Sequence, residues 1–298
     1  MAISFRALPL SLAVLLVSPT TLAGENLFGH VKGAETLPKG SGELYQKLTQ
    51  RSDKGRGHYT AYDAVTEFEY GITNSLSSTA GIKMQSIDTN GLLIEGYLPE
   101  EIDTGLELSG LEASLKYNFL SPAKDDIGLS GLIGFDYTWK DKHSGQDKQT
   151  ASVETALLLQ KFMLEGQLTW VGNLGMEATY AKRDEIDGLP EDFEWPTDPE
   201  MEIELIFGTG LNYRFAPKWS LSMEVLYETE FETEVGQERW SVFAGPSLHY
   251  GSQTWWATLT WLPQLEGGGE QYEDQSDTDL HLIEKTETEV RLKIGFNF

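Results

Sequence analysis

The chain has 298 residues, 40% of them hydrophobic and 11% aromatic, with a net charge of −25 and no cysteine. That charge argues against nucleic acid as a partner, and the lack of thiols excludes disulfides and a lipoprotein anchor. A mean hydropathy of −0.32 excludes a helical membrane protein, but not a β-wall in which only alternate residues face lipid.

Residues 1–23 carry one basic residue, Arg6, then an apolar run from Leu8 to Val17 and the small-x-small site Thr21-Leu22-Ala23. This pattern predicts a secretory signal peptide cleaved after Ala23; the run is too short to span a bilayer. Cleavage removes Arg6 and no acid, taking the net charge from −25 to about −26. Residues 24–42, with several glycines and Pro38, show no strand pattern. They are expected to form a periplasmic segment that either enters a barrel as a partial plug or hangs free.

From residue 43 onward a period of two takes over, the mark of strands with one apolar and one polar face. It divides 43–298 into about twelve strands, at 43–53, 58–72, 76–88, 105–119, 127–140, 150–163, 167–182, 201–215, 219–234, 239–251, 254–265 and 285–298. In 127–140 the apolar parity is Ile127, Leu129, Ile133, Phe135, Tyr137 and Trp139. In 219–234 it is Trp219, Leu221, Met223, Val225, Tyr227 and Phe231. Strands 43–53 and 254–265 have no clearly apolar parity. The final strand is clean: Val290, Leu292, Ile294, Phe296 and Phe298 share one face, and Arg291, Lys293 and Asn297 the other.

The connections alternate. Short turns lie at 73–75, 120–126, 164–166, 216–218 and 252–253; the opposite rim carries the long loops 89–104, 183–200 and 266–284, an intermediate one at 141–149 and two short ones at 54–57 and 235–238. Short periplasmic turns and longer outer loops are the rule for outer-membrane barrels, and an even strand count brings both ends to the short-turn rim. Aromatics gather near both rims: Tyr70, Phe119, Phe162, Phe215, Trp219, Tyr250 and Trp255 by the turns; Tyr137, Trp139, Tyr180, Phe231, Trp240 and Trp261 by the loops. The predicted fold is an all-β, antiparallel, up-and-down transmembrane barrel in the bacterial outer membrane.

Two resemblances accompany these patterns. Gly24-Glu-Asn-Leu-Phe-Gly29 with Thr36-Leu-Pro-Lys-Gly40, followed by Glu67-Phe-Glu-Tyr-Gly-Ile-Thr73, resembles a family of uncharacterised proteobacterial outer-membrane proteins. Segment 69–74 also looks like the strand-turn-strand motif of transporter-like barrels linked to aromatic-compound degradation. The terminal Phe on an alternating strand resembles the assembly signal of outer-membrane barrels, which nominates Phe296 and Phe298. These resemblances imply outer-membrane lipids, lipopolysaccharide and the barrel assembly machinery as partners. They imply no cofactor and no catalytic residues.

The residues themselves show no strong catalytic pattern. Ser247 and His249 share a parity, as a lipid-cleaving dyad would, but near the wrong rim. Asp63, Glu228 and Glu230 with His58 supply the residue types of a water-activating protease without a distinctive spacing. The acidic loops, with Asp184, Glu185, Asp198, Asp277 and Asp279, lack calcium-loop spacing and read as a solvated rim. The inward parity is mixed but net acidic: Glu67, Glu69, Glu112, Asp136, Glu154, Glu177, Glu202, Glu204, Glu224, Glu228, Glu287 and Glu289 against Lys83, Lys116, Arg214, Arg291 and Lys293.

Buried charges must be paired or hydrated. The leading expectation is therefore a porin-like pathway for small solutes with a cation-preferring lumen. Glu67, Glu69, Glu112, Glu202, Glu204 and Glu224 line it, with Arg214, Arg291 and Lys293 as counter-charges. The alternatives are a closed structural or surface-interaction barrel, and an outer-membrane hydrolase.

Overall fold

The computed structural model describes residues 26–93, 101–185, 197–232, 236–272 and 274–298. The expected signal peptide and most of the acidic loop 183–200 lie outside the described residues. The wall strands are β1 (Gly42–Ser52), β2 (Arg56–Thr73), β3 (Leu76–Leu93), β5 (Glu107–Leu120), β6 (Gly128–Lys140), β7 (Asp147–Met163), β8 (Leu168–Arg183), β9 (Glu200–Ala216), β10 (Trp219–Glu232), β11 (Gly236–Gly251), β12 (Trp255–Gly268) and β13 (Thr288–Asn297). The two-residue β4 (Ile102–Asp103) pairs with Asp88 and Thr89 above the wall.

Each strand pairs antiparallel with its sequence neighbour, and β1 pairs with β13, so the twelve long strands form a closed barrel without an edge. Closure satisfies every ladder, the condition for a sheet in hydrocarbon. The seam runs from Glu43↔Asn297 to Ser52↔Thr288. Gly42 N–H donates to Phe298 O at 2.8 Å and Phe298 N–H to Gly42 O at 2.9 Å, while the Phe298 ring stacks on Phe68 at 5.9 Å.

The predicted parities hold. Phe135, Leu157, Leu211, Met223 and Leu259 all point outward and stay exposed, forming an apolar belt. Aromatic groups mark its borders: Trp219, Tyr250 and Trp255 pack together by the short turns, and Tyr137 packs with Trp139 by the long loops. The two strands of unclear parity have distinct explanations. β1 carries outward Gln46, whose side-chain oxygen accepts from Thr66 Oγ1 at 2.6 Å. β12 carries inward Trp256 and Leu262, buried inside the barrel.

Two details differ from the sequence pattern. β13 begins at Thr288 rather than 285, because Lys285 leaves the wall line to reach Glu204 and Glu228 across the lumen. Glu287, read as inward, is an exposed connection residue whose amide donates to Asp53 O.

Candidate functional site: the lumen and its collar

Residues 26–37 lie inside the barrel along its inner wall at the short-turn half, and 38–41 emerge at the short-turn rim. Their backbone joins no ladder and would leave many polar groups unpaired in the interior, so the wall must supply partners. Asn26 O accepts from Thr258 Oγ1 on β12, and Leu27 O from Ser222 Oγ on β10. Lys32 is clasped by Asn173 on β8, which accepts from its amide at 2.7 Å and donates to its carbonyl at 2.8 Å. Ala34 N–H donates to Gln160 Oε1 on β7, and Ala34 O accepts from Asn118 on β5 and Ser130 on β6. Thr36 and Lys39 then dock on Asn74 in the β2–β3 turn. This segment, here called the collar, thus touches almost the full inner circumference.

Glu224 is its anchor. The residue is 0% exposed, and its carboxylate accepts from the amides of Gly29 (2.7 Å), His30 (2.9 Å) and Val31 (3.1 Å). Three amides converging on one carboxylate give charge-assisted bonds, stronger than neutral ones. Ser247 Oγ adds a fourth donor at 3.0 Å. From β13, Arg291 donates to Gly29 O and Lys293 to Phe28 O. The collar side chains Phe28, Val31, Ala34 and Leu37 are buried against the wall.

The wall makes room for them with glycine. A Cβ on Gly210 would lie 2.5 Å from the Phe28 ring, and one on Gly208 2.6 Å from Val31 Cγ1. Gly210→Leu is therefore expected to expel the collar while the wall still closes, making residues 26–41 cleavable by protease in the folded barrel. Protection equal to that of the parent chain would contradict this packing.

Beyond the collar lies a tier of ion pairs. Lys47 bridges Glu67 (2.6 Å) and Glu112 (3.3 Å), Lys83 pairs with Asp136 (2.6 Å), and collar Lys32 reaches Glu154 (3.3 Å). Lys285, from the connection before β13, bridges Glu204 (3.2 Å) and Glu228 (2.5 Å). Burial alone would lower the Lys285 pKa, but these two carboxylates outweigh it and raise the value. Of these groups, Lys32, Glu154, Lys47, Glu112, Lys83, Asp136, Lys285 and Glu204 keep between 20% and 44% of their side-chain surface accessible, so water reaches this tier.

Above it the connection 141–146 folds inward. Arg51, bidentate to Asp63 at 2.7 and 3.0 Å, also donates to Lys142 O at 2.7 Å, and Tyr59 OH donates to His143 O. Beside them Tyr59, Ala61, Ile87, Leu92 and Ile102 form a small apolar core.

The lumen-facing residues expected from sequence thus divide by role. Glu224, Arg291 and Lys293 converge on the collar. Glu112 and Glu204 belong to the hydrated tier, whereas Glu67 is buried against Lys47 at its edge. Glu69 is buried beside Lys116 at 4.0 Å near the short turns. Glu202 makes no ion pair among the described residues, and Arg214 is exposed at the short-turn rim, away from the tier.

The inward cations Lys32, Lys47, Arg51, Arg239 and Lys285 are not among the residues named from sequence. Three of them come from segments or a strand with no clear alternation. The inner wall is also not uniformly polar: Leu226, Phe243 and Leu262 cluster there with Ile206. Ser247 and His249 do not form a dyad, since Ser247 is engaged by Glu224 and Thr260 and His249 by Thr258. Asp63, Glu228 and Glu230 are each held by a cation, Arg51, Lys285 and Arg239. Among the described residues no three His, Asp or Glu side chains are grouped to hold a metal ion.

The chain belongs to a family of unknown function (DUF6662), whose model matches residues 20–298. No curated protein sequence matches it. Among solved structures it is similar to the COG4313 outer membrane channel from Pseudomonas putida F1, with a TM-score of 0.57 and 11% identity over 89% of this chain and 98% of the channel. It is also similar to the β domain of the Bordetella autotransporter Brka, with a TM-score of 0.54 and 10% identity over 87% of this chain and 100% of that domain. At such identities the likeness is one of fold, that of outer-membrane β-barrels.

Proposed function

We propose that this member of the family is an outer-membrane channel for small hydrophilic solutes, closed at rest on its periplasmic side by the collar. The supporting observation is the change in hydration along the lumen. The ion-paired tier is open to water, whereas Glu43, Glu69, Lys116 and Glu224 in the collar half are sealed. A barrel that serves only as a scaffold has no need of a hydrated tier of charges, which costs desolvation and ordering. The apolar belt and its aromatic borders support a wall in hydrocarbon, with outer-membrane lipid and lipopolysaccharide as neighbours. Phe296 and Phe298, exposed at the closing strand, suit recognition by the barrel assembly machinery. The pathway carries solutes without a catalytic step, consistent with a protein of the same fold being an outer membrane channel.

Carboxylates dominate one side of the lumen. Glu154↔Glu177, Glu177↔Glu204 and Glu204↔Glu230 are directly opposed on successive strands β7 to β10. Such a row favours cations near it. In planar bilayers under a salt gradient, openings of the purified barrel are expected to show a cation-biased reversal potential. The double variant Glu202→Gln/Glu204→Gln should move it toward zero. An unchanged potential would remove these two residues from the pathway. A folded barrel carrying no current in any variant would instead favour a permanently closed barrel, for which the Glu224 lock is the structural argument.

A further inference from the structure

Lys142 stands apart from the other lumen cations. It sits in the connection 141–146, between β6 and β7, yet its carbonyl is held by Arg51 on β1 and its neighbour His143 by Tyr59 on β2. In the order of the wall, β5 and β3 separate β6 from β2, so the connection must reach inward across the lumen. It is rigid there. Asp141 caps it, accepting from His143 N–H (2.9 Å), Ser144 N–H (2.7 Å) and Ser144 Oγ (2.9 Å), and Gln85 Nε2 donates to Asp141 O at 2.9 Å. Gly145, at φ +71°, supplies the left-handed step that closes the turn.

With its backbone fixed, the Lys142 side chain is exposed inside the barrel, and its ammonium makes no hydrogen bond or ion pair among the described residues. The groups within its electrostatic range come from every side. Arg51 lies on β1, Asp63 on β2, Glu289 on β13 and Glu228 on β10, with Lys285 from the connection before β13 and His30 from the collar. Confinement and the Arg51 guanidinium lower its pKa. Bonded to β1 and β2 while rooted between β6 and β7, the connection carries the Lys142 side chain into the lumen.

We propose that the connection 141–146 forms the constriction of the pathway and that the Lys142 ammonium is its selectivity-setting charge, moderating the cation preference of an acidic lumen. This rests on the channel function proposed above. Asp63 and Glu228 already have cationic partners, Arg51 and Lys285, so the free ammonium is an unneutralised charge that a passing ion meets there.

The chain has no cysteine, so Lys142→Cys creates a single thiol. The folded full-length variant is recorded in planar bilayers before and after treatment with a cationic and an anionic methanethiosulfonate, with mass spectrometry reporting modification. The anionic adduct should shift the reversal potential toward stronger cation preference, and the cationic adduct should return it to the parent value. Both should reduce conductance by about half or more, as bulk is added at a constriction. A thiol that resists modification would contradict a water-facing side chain. Complete modification with unchanged current and potential would take Lys142 out of the pathway, leaving the channel itself standing. Absence of current in the parent and all variants would end both proposals.

Discussion

Glu224→Ala is expected to release the collar. The substitution removes the acceptor for the amides of Gly29, His30 and Val31 while the surrounding wall keeps them from water. A buried amide left without a partner costs about 1–3 kcal/mol. Together these costs weaken docking of the segment relative to its release into water, where the amides are hydrated. A net shift of about 3 kcal/mol changes the docked-to-released ratio roughly 100-fold. Protease cleavage within residues 26–41 should accelerate by a similar factor, and open-state current should rise with it. Glu224→Gln keeps an acceptor oxygen without the charge and should fall between the two. Equal cleavage rates for Glu224→Ala and the parent would show that the carboxylate does not hold the segment.

Arg51→Met is expected to lower stability most among the lumen substitutions. Arg51 is only 2% exposed and binds Asp63, Tyr59 OH and Lys142 O together. Removing it strands the Asp63 carboxylate, and breaking such a pair from one side costs about 3–5 kcal/mol. The lower end applies, because Asp63 keeps 21% of its side-chain surface accessible. The urea midpoint, followed by tryptophan fluorescence, should fall accordingly. The double variant Arg51→Met/Asp63→Asn should recover part of the loss, since the stranded charge is gone. An equal loss in single and double variants would assign the effect to packing rather than to the charge.

The wall was legible because lipid and lumen impose a strict alternation. Phe135, Tyr137 and Trp139 on β6 report the outward face as directly in the sequence as in the structure. The collar was not legible as a strand because it is none: its buried residues Phe28, Val31, Ala34 and Leu37 recur every third position, a spacing that fits neither strand nor α-helix. A signal of it nonetheless lay in the wall. Several inward positions facing it are small, Gly208, Gly210, Ser222, Ser130 and Thr258. Small inward residues in a barrel of this size leave space that a backbone can fill.

Long-range pairings stayed hidden for another reason. Lys285 meets Glu204 and Glu228 only because residues 285–287 leave the wall, and no local pattern encodes that departure. Likewise Lys142 owes its place to Arg51, on a strand whose polar outward Gln46 and Gln50 blurred its parity. Of the nine lumen candidates Arg214 is exposed at the short-turn rim, and the division of the others between collar anchors and hydrated tier depends on a segment whose path only the structure reveals.

The collar's role as the resting closure is tested most directly by paired single-channel recordings of the protein with and without residues 26–40, both forms shown to be folded by heat-modifiable gel mobility. Steady conductance at least several-fold higher in the shortened barrel is the expected result. Equal conductance in the two, or silence in both, would contradict a channel closed by its own N-terminal segment.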